Sequence, residues 1–315
     1  MKKSLVVMFH EINDSDWFDN VAAFFKKHYI MCGTDALAGN HSPNNKDKGF
    51  CHFSFDDGHK SFAKNALPVL IKHQIPVSLF ISPKIVREND LFWFQKVKLL
   101  KRYGFTQFVQ RRCSPDFPHF DLSSYSASAI LKCYEINSIN MIIKEFCKTT
   151  EVQFPQNINI NCLDLEQILN SDLVEIGAHT MNHPILANES DESARAEIID
   201  SITQVYELTH RKVVSFACPN GLPELDFGLR EKQILVKSGI STNFTTITDY
   251  YSDRFDSMSI PRIGVTKGST TFIAAKIMFA KPWVYYRKEI MQNSEINQRR
   301  RLLLKFRKPN EGCNV

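Results

Sequence analysis

Short apolar, β-rich runs that alternate with amphipathic segments constrain this chain more than any other feature. The runs fall at residues 4–9, 50–55, 77–81, 173–178, 213–218, 241–246 and 258–265, and each ends at turn or polar residues. Between most of them, residues 17–28, 61–73, 192–209 and 227–238 space apolar side chains three and four apart, and Gly239 is a stop for the last segment. Strand then helix, repeated, predicts a parallel α/β architecture. With 315 residues and 43% apolar content, the chain can bury one large core. One principal domain over residues 1–270 is therefore expected.

Two stretches depart from the rhythm. Residues 90–164 are long, rich in Lys, Ser and Asn, and broken by a loop at 115–118 that carries two prolines. They predict a helical insertion, with helices near 91–101 and 126–148, capping the mouth of the main domain, where loops after strands carry substrate contacts. Residues 271–315 form a basic C-terminal extension. From Arg287 to Lys308 there are eight Lys or Arg against Glu289 and Glu295, in a chain whose total charge is +5. A solvated helical face is the ordinary outcome of such a run, but an anionic bilayer or a phosphate-bearing substrate would also suit it.

The eight cysteines contain no C-x-x-C pair, which predicts reduced thiols in a reducing compartment. The opening Met1-Lys2-Lys3 resembles the start of an export signal, yet His10, Glu11 and Asn13 cut the apolar run short, and it reads as a first strand. The expected location is cytoplasmic. No stretch approaches the 18 or so apolar residues of a spanning helix.

Three of the predicted strands end in polar residues that make little sense in a core: Phe53-Ser54-Phe55-Asp56-Asp57-Gly58, Ile176-Gly177-Ala178-His179-Thr180-Met181-Asn182-His183-Pro184 and Phe216-Ala217-Cys218-Pro219-Asn220-Gly221. In parallel α/β folds the working site lies at the carboxyl ends of the strands, so these residues should meet. Adjacent carboxylates at Asp56 and Asp57 repel when both are ionised, which calls for a cation or a shared proton. His179 and His183, four residues apart, can bind one ion if the turn between them is tight. Two imidazoles and one carboxylate leave coordination positions open, the mark of a catalytic rather than a structural metal. Alone, Asp-Asp-Gly is usually a turn and His-x3-His usually chance; together at strand ends they point to chemistry.

These motifs resemble those of the polysaccharide deacetylase family, carbohydrate esterase family 4, also called the nodulation-deacetylase homology fold. Ser54-Phe55-Asp56-Asp57-Gly58 matches the first motif, residues 179–184 match the second completely, and residues 216–221 match the third in part. The resemblance spans roughly residues 4–265 without the insertion. It implies a distorted (β/α) barrel with seven strands and the removal of an acetyl or similar acyl group from an amino sugar. It makes Asp56 the general base and Asp57, His179 and His183 the ligands of a divalent metal, commonly Zn2+ but also Co, Ni, Mn or Fe. The ion would polarise the amide carbonyl and acidify its bound water while Asp56 accepts the proton. The backbone N–H of Asn220, just after Pro219, would help hold the oxyanion.

Two departures from the family pattern stand out. The third-motif arginine that usually orients the base is Ala217 here, and no histidine follows His210 to act as the usual general acid. His10, at the end of the first predicted strand, is the candidate acid; related poly-N-acetylglucosamine deacetylases likewise carry a first-strand histidine. Arg262, near the last predicted strand, is placed to bind a substrate anion or to steady Asp56. Trp93 offers a ring for stacking on a sugar, although an aromatic cluster opening a helix is more often core. His59 reads as surface and His52 as a satisfied buried imidazole. The expected substrate is a nucleotide-linked or lipid-linked N-acetyl or N-formyl amino sugar in surface-polysaccharide or glycolipid assembly. The basic tail is then a peripheral dock on the inner membrane face. The competing reading is a non-catalytic carbohydrate-binding member of the same fold. Nucleic-acid binding has only the charge run behind it and is not expected.

Overall fold

All seven of the β-rich runs contribute strands, and every strand pairing is parallel. The computed structural model describes residues 3–37, 48–252, 254–280, 282 and 294–306. Its strands are β1 (Leu5–Phe9), β2 (Ile30–Met31), β3 (Phe50–Phe55), β4 (Val77–Ile81), β5 (Val174–Ala178), β6 (Ser215–Ala217), β7 (Thr242–Phe244) and β8 (Ile263–Gly264). Seven of them follow one another in the order β7-β6-β5-β4-β3-β1-β8. The eighth, β2, pairs with the start of β3 and is too short for sequence periodicity to reveal. A parallel bridge between Phe244 and Ile260 brings β7 beside the segment leading into β8, with the Ile260 N–H donating to Asn243 O at 2.9 Å. The sheet thus curls into the expected distorted seven-stranded (β/α) barrel.

Because both faces of this sheet are covered, its strands are apolar almost throughout. Outward residues such as Val7, Phe53, Leu79, Ile176 and Phe216 join Phe18, Leu70, Ile198 and Leu235 of the surrounding helices in the large buried cluster. Inward residues Val6, Phe80, Ala217 and Phe244 form a second cluster with Ile260. Gly177 is dictated by that interior: a Cβ there would lie 2.4 Å from the Phe80 ring. Beside these apolar residues runs a polar column. His52, fully buried, uses Nδ1 with Cys32 O at 2.9 Å and Nε2 with Ser78 Oγ at 3.0 Å, and burial pushes its pKa down to about 4. It is the satisfied imidazole that its strand position predicts. Glu175 accepts from Ser215 Oγ at 2.6 Å and from Thr34 Oγ1.

By its internal contacts the chain divides into two units, Met1–Asp90 with Gln156–Val284, and Leu91–Pro155 with Tyr285–Val315. The first holds the barrel. The second is helical, with Trp93–Leu100, Phe105–Cys113, Ala127–Leu131 and Ile136–Thr149. The helix Glu295–Phe306 belongs with them: Lys132 Nζ meets Glu295 Oε1 at 2.5 Å, and Arg299 Nε donates to Lys132 O at 3.0 Å. Of the basic extension, residues 271–280 and 282 fall in the barrel unit, and residues 294–306 share a unit with the insertion. Residues 281, 283–293 and 307–315 of that extension lie outside the described residues. Among the described residues no helix is long and apolar enough to cross a membrane.

Candidate active site

The register of β1 on β3 pairs Phe9 with Phe55, and the Asp56 N–H donates to Phe9 O at 3.1 Å. His10 therefore emerges beside Asp56 at the carboxyl end of the sheet. His10 is exposed. At the same end, the His179 N–H donates to Ile81 O at 3.0 Å, carrying the second motif onward from β5.

Asp57, His179 and His183 come together there, all buried, with one ligand atom from each within 4.8 Å of the others. Asp57 Oδ1 lies 3.3 Å from His179 Nε2 and 3.6 Å from His183 Nε2. The edge of a tetrahedron with bonds of ~2.1 Å is about 3.4 Å, so these spacings fit a single divalent ion. Hydrogen bonding makes the same point. His179 Nδ1 lies 2.6 Å from Ala217 O, and since a carbonyl can only accept, Nδ1 carries the hydrogen. In the neutral imidazole, Nε2 is then a bare lone pair aimed at Asp57 Oδ1. Neither buried atom has a hydrogen-bond partner. Lone pairs facing each other at this distance need a cation or a proton between them, and an outer carbonyl on the far ring nitrogen is the usual support of a metal-bound histidine. Without a cation a proton takes its place: burial alone would push the Asp57 carboxyl up, but protonated His179, with His183 and His10, outweighs it and holds the group well below the ordinary carboxylate range, while Asp57 and Asp56 raise the pKa of His179 despite its burial.

Asp56 is engaged differently. Arg262 Nη1 donates to Oδ1 at 2.6 Å and Nη2 to Oδ2 at 2.8 Å, a bidentate pair with Asp56 4% and Arg262 1% exposed. Arg262 Nε donates to Thr245 O at 2.8 Å, and Nη1 also reaches Ser54 Oγ at 3.3 Å. The Phe80 and Phe244 rings each lie 5.9 Å from the guanidinium carbon. Burial again pushes the Asp56 pKa up, but the charges of Arg262, His179 and His10 carry it below the ordinary value. Of the two placements its sequence position offered, Arg262 takes the one against Asp56. It does not reach for a substrate anion, because every guanidinium nitrogen is already bonded inside the barrel.

Pro219 is buried, and its carbonyl accepts the Gly221 N–H at 2.7 Å across a three-residue turn. Asn220, at the centre of that turn, has φ of 59° and a buried Nδ2 with no hydrogen-bond partner, while its carbonyl accepts from Thr246 Oγ1 at 2.6 Å. Left-handed backbone recurs around the site: Asp57, Thr180 and His183 have φ of 69°, 63° and 56°. Non-glycine residues adopt such values at a cost that surrounding contacts must offset. Trp93 lies in the helical unit, where it is 3% exposed and meets Phe94 edge to face at 6.0 Å. That is the core position an aromatic cluster usually takes and leaves no open face for a sugar. His59, read from sequence as surface, is half-buried, with Nδ1 held at 2.8 Å from Ser61 Oγ.

One residue at this site escapes the motif reading altogether. Glu197 accepts from the Met181 and Asn182 backbone N–H groups, both at 2.9 Å, and from Asn182 Nδ2 at 2.6 Å. Its signal was nonetheless in the helix pattern, because it stands on the stripe of Ala194, Ile198, Ser201 and Val205, all buried, where a carboxylate needs partners.

Comparison with known proteins leads to carbohydrate deacetylases. The model of the polysaccharide deacetylase family matches residues 125–236, taking in the second and third motifs and leaving Asp56 and Asp57 outside. No curated protein matches. Among solved structures, the Streptococcus pyogenes deacetylase PplD in complex with acetate is 14% identical, with a TM-score of 0.58 over 88% of this chain and 98% of its own. IcaB from Ammonifex degensii is 17% identical, with a TM-score of 0.56 over 87% and 97%. A de-N-acetylase from Aggregatibacter actinomycetemcomitans is 14% identical, with a TM-score of 0.55 over 87% and 99%. At such identities the solved structures show the fold alone, and it is the family match over residues 125–236 that points to the polysaccharide deacetylase family.

Proposed function

We propose that the chain is a metal-dependent N-deacetylase, or N-deformylase, of an amino sugar. The observation that carries this reading is the pair of unpartnered atoms, Asp57 Oδ1 and His179 Nε2, facing each other at 3.3 Å beside a second carboxylate held apart as a base. Asp57, His179 and His183 would hold the ion, Zn2+ being the commonest for this ligand type, and when bound it would supply Lewis acidity toward the acyl oxygen and an attacking water.

The remaining work falls to the chain's own groups. Asp56 accepts the proton of the water whose oxygen adds to the acyl carbon; its oxygens each keep a lone pair beyond the one engaged by Arg262. The Asn220 backbone N–H, with its unpartnered side-chain amide, donates to the oxygen that gains charge. His10 gives a proton to the amine nitrogen as the C–N bond breaks, releasing acetate or formate and the free amino sugar.

The finer reading is a substrate that is nucleotide-linked or lipid-linked, met in the cytoplasm or at the inner membrane face. The helical unit carries 17 Lys or Arg against 8 Asp or Glu, leaving 22 against 26 for the barrel unit. That asymmetry supports an anionic partner for the helical unit. The seven described cysteines are free thiols, as a reducing compartment requires. The test is acetate and formate release from a panel of nucleotide-linked and lipid-linked N-acyl amino sugars, with metal-loaded wild type beside Asp56→Asn. Release that vanishes in the variant supports the enzyme. One ion bound with no turnover on a broad panel favours a carbohydrate-binding role instead.

A further inference from the structure

The two histidine ligands are joined by Thr180, Met181 and Asn182, and the chain takes left-handed backbone at Thr180 and again at His183. Such a loop does not hold its shape through local preference, since neither residue is glycine. Its ends are braced: the His183 N–H donates to Thr180 Oγ1 at 3.0 Å within the loop, and Ser82 Oγ, just after β4, donates to His179 O at 3.0 Å. The middle of the loop, between the two left-handed residues, is held from outside by Glu197 on the helix Asp191–Thr209. Glu197 is 6% exposed and directs both carboxylate oxygens at this loop: Oε2 takes the two backbone N–H groups and Oε1 the Asn182 amide. Asn182 Oδ1 in turn accepts from Lys84 Nζ at 2.9 Å, which fixes the orientation of its amide.

Resting on the metal reading above, we infer that Glu197 is the positioning residue for the ligand loop, setting where His183 stands relative to His179 and Asp57. The hydrogen-bond directions make the inference testable by exchange. In Glu197→Gln the new side chain can still accept the two backbone N–H groups through its oxygen, but its own amide then faces the Asn182 amide, donor against donor. In Asn182→Asp a carboxylate is set against the Glu197 carboxylate. With both changes, the amide introduced on the helix donates to the carboxylate introduced in the loop, which still accepts from Lys84, and the pairing is restored with the roles reversed.

The experiment measures Zn2+ affinity by calorimetry, and the visible absorption of bound Co2+, for wild type, Glu197→Gln, Asn182→Asp and the double variant. Loss of a residue that orients a metal ligand typically weakens metal binding 10–100-fold. We expect that loss in each single variant, with a changed Co2+ spectrum, and recovery of most of it in the double. Recovery also answers the case in which a single variant folds poorly, because general damage from two substitutions would add. Wild type and Glu197→Gln binding one ion with equal affinity and the same spectrum would overturn the inference alone, as would a double variant no better than the singles. Wild type that binds no ion overturns the metal reading and the inference together.

Discussion

Replacing Arg262 with Met keeps the bulk and removes the charge, and it isolates what the guanidinium does for Asp56. The pair is bidentate at 2.6 and 2.8 Å and almost wholly buried. Breaking such a pair from one side typically costs about 3–5 kcal/mol, because a charge is left without compensation. Here the cost has a ceiling. Without Arg262, burial is the largest influence on the carboxyl, so its folded pKa rises above the unfolded value of about 3.9. Once it can take up a proton, the penalty cannot exceed ~1.4 kcal/mol for each pH unit above the unfolded pKa, or about 4 kcal/mol at pH 7. In wild type the sign is opposite: the folded pKa lies below the unfolded one, so Asp56 contributes stability above pH ~4 that is lost as pH falls through the folded pKa. The gap between wild type and Arg262→Met should therefore be about 3–4 kcal/mol near pH 7 and narrow toward pH 4. What remains there, about 1 kcal/mol, is the lost bond to Thr245 O. Urea unfolding of both proteins from pH 4 to pH 7 measures this directly. A gap that stays constant across that range would show a packing defect instead of an unpaired charge and refute the reasoning.

Other expectations follow from the interior and the mouth of the barrel. Gly177→Ala should cost about 1–3 kcal/mol through its clash with the Phe80 ring, and adding Phe80→Leu should recover part of it in chemical denaturation; no recovery would place the clash elsewhere. Burial raises the folded pKa of Glu175 despite its bonds to Ser215 and Thr34. Its contribution is then fullest below the unfolded pKa and lost as pH rises, so Glu175→Gln should gain on wild type between pH ~4.5 and ~7.5, and equal melting-temperature differences at the two would contradict this. His10→Asn should lower kcat for an amino-sugar amide by about 10²–10⁴ while sparing an activated acyl substrate whose leaving group needs no proton; equal losses on both would remove His10 as the acid.

Much of this was legible from the residues. The seven runs became strands because parallel strands covered on both faces must be continuously apolar, and the polar residues ending three of them had nowhere to go but the mouth. The strand boundaries were less legible toward the end of the chain: residues 258–265 contribute only Ile263–Gly264 as a strand, the rest being a short 3-10 turn and the bridge at Ile260. The residues that orient the site resisted a linear reading. Arg262 lies 206 residues from Asp56, and only the closure of the barrel makes them neighbours. Glu197 sits within an ordinary amphipathic helix, and its role depends on the path of a loop that sequence patterns do not describe. Trp93 illustrates the converse, since an aromatic ring in a sequence does not say which of its faces is open.

The way Arg262 reaches Asp56 bears on how such a site can change over generations. A barrel interior can be approached from every strand around it, so the place filled by a guanidinium has several possible addresses in the chain. Here the residue paired with Asp56 also spans the seam between β7 and the segment before β8, through Thr245. An arginine could appear on one strand before its counterpart on another was given up, without the carboxylate ever standing alone. Kinship among such proteins is then better traced by which points of the rim are occupied than by which letters of a motif survive.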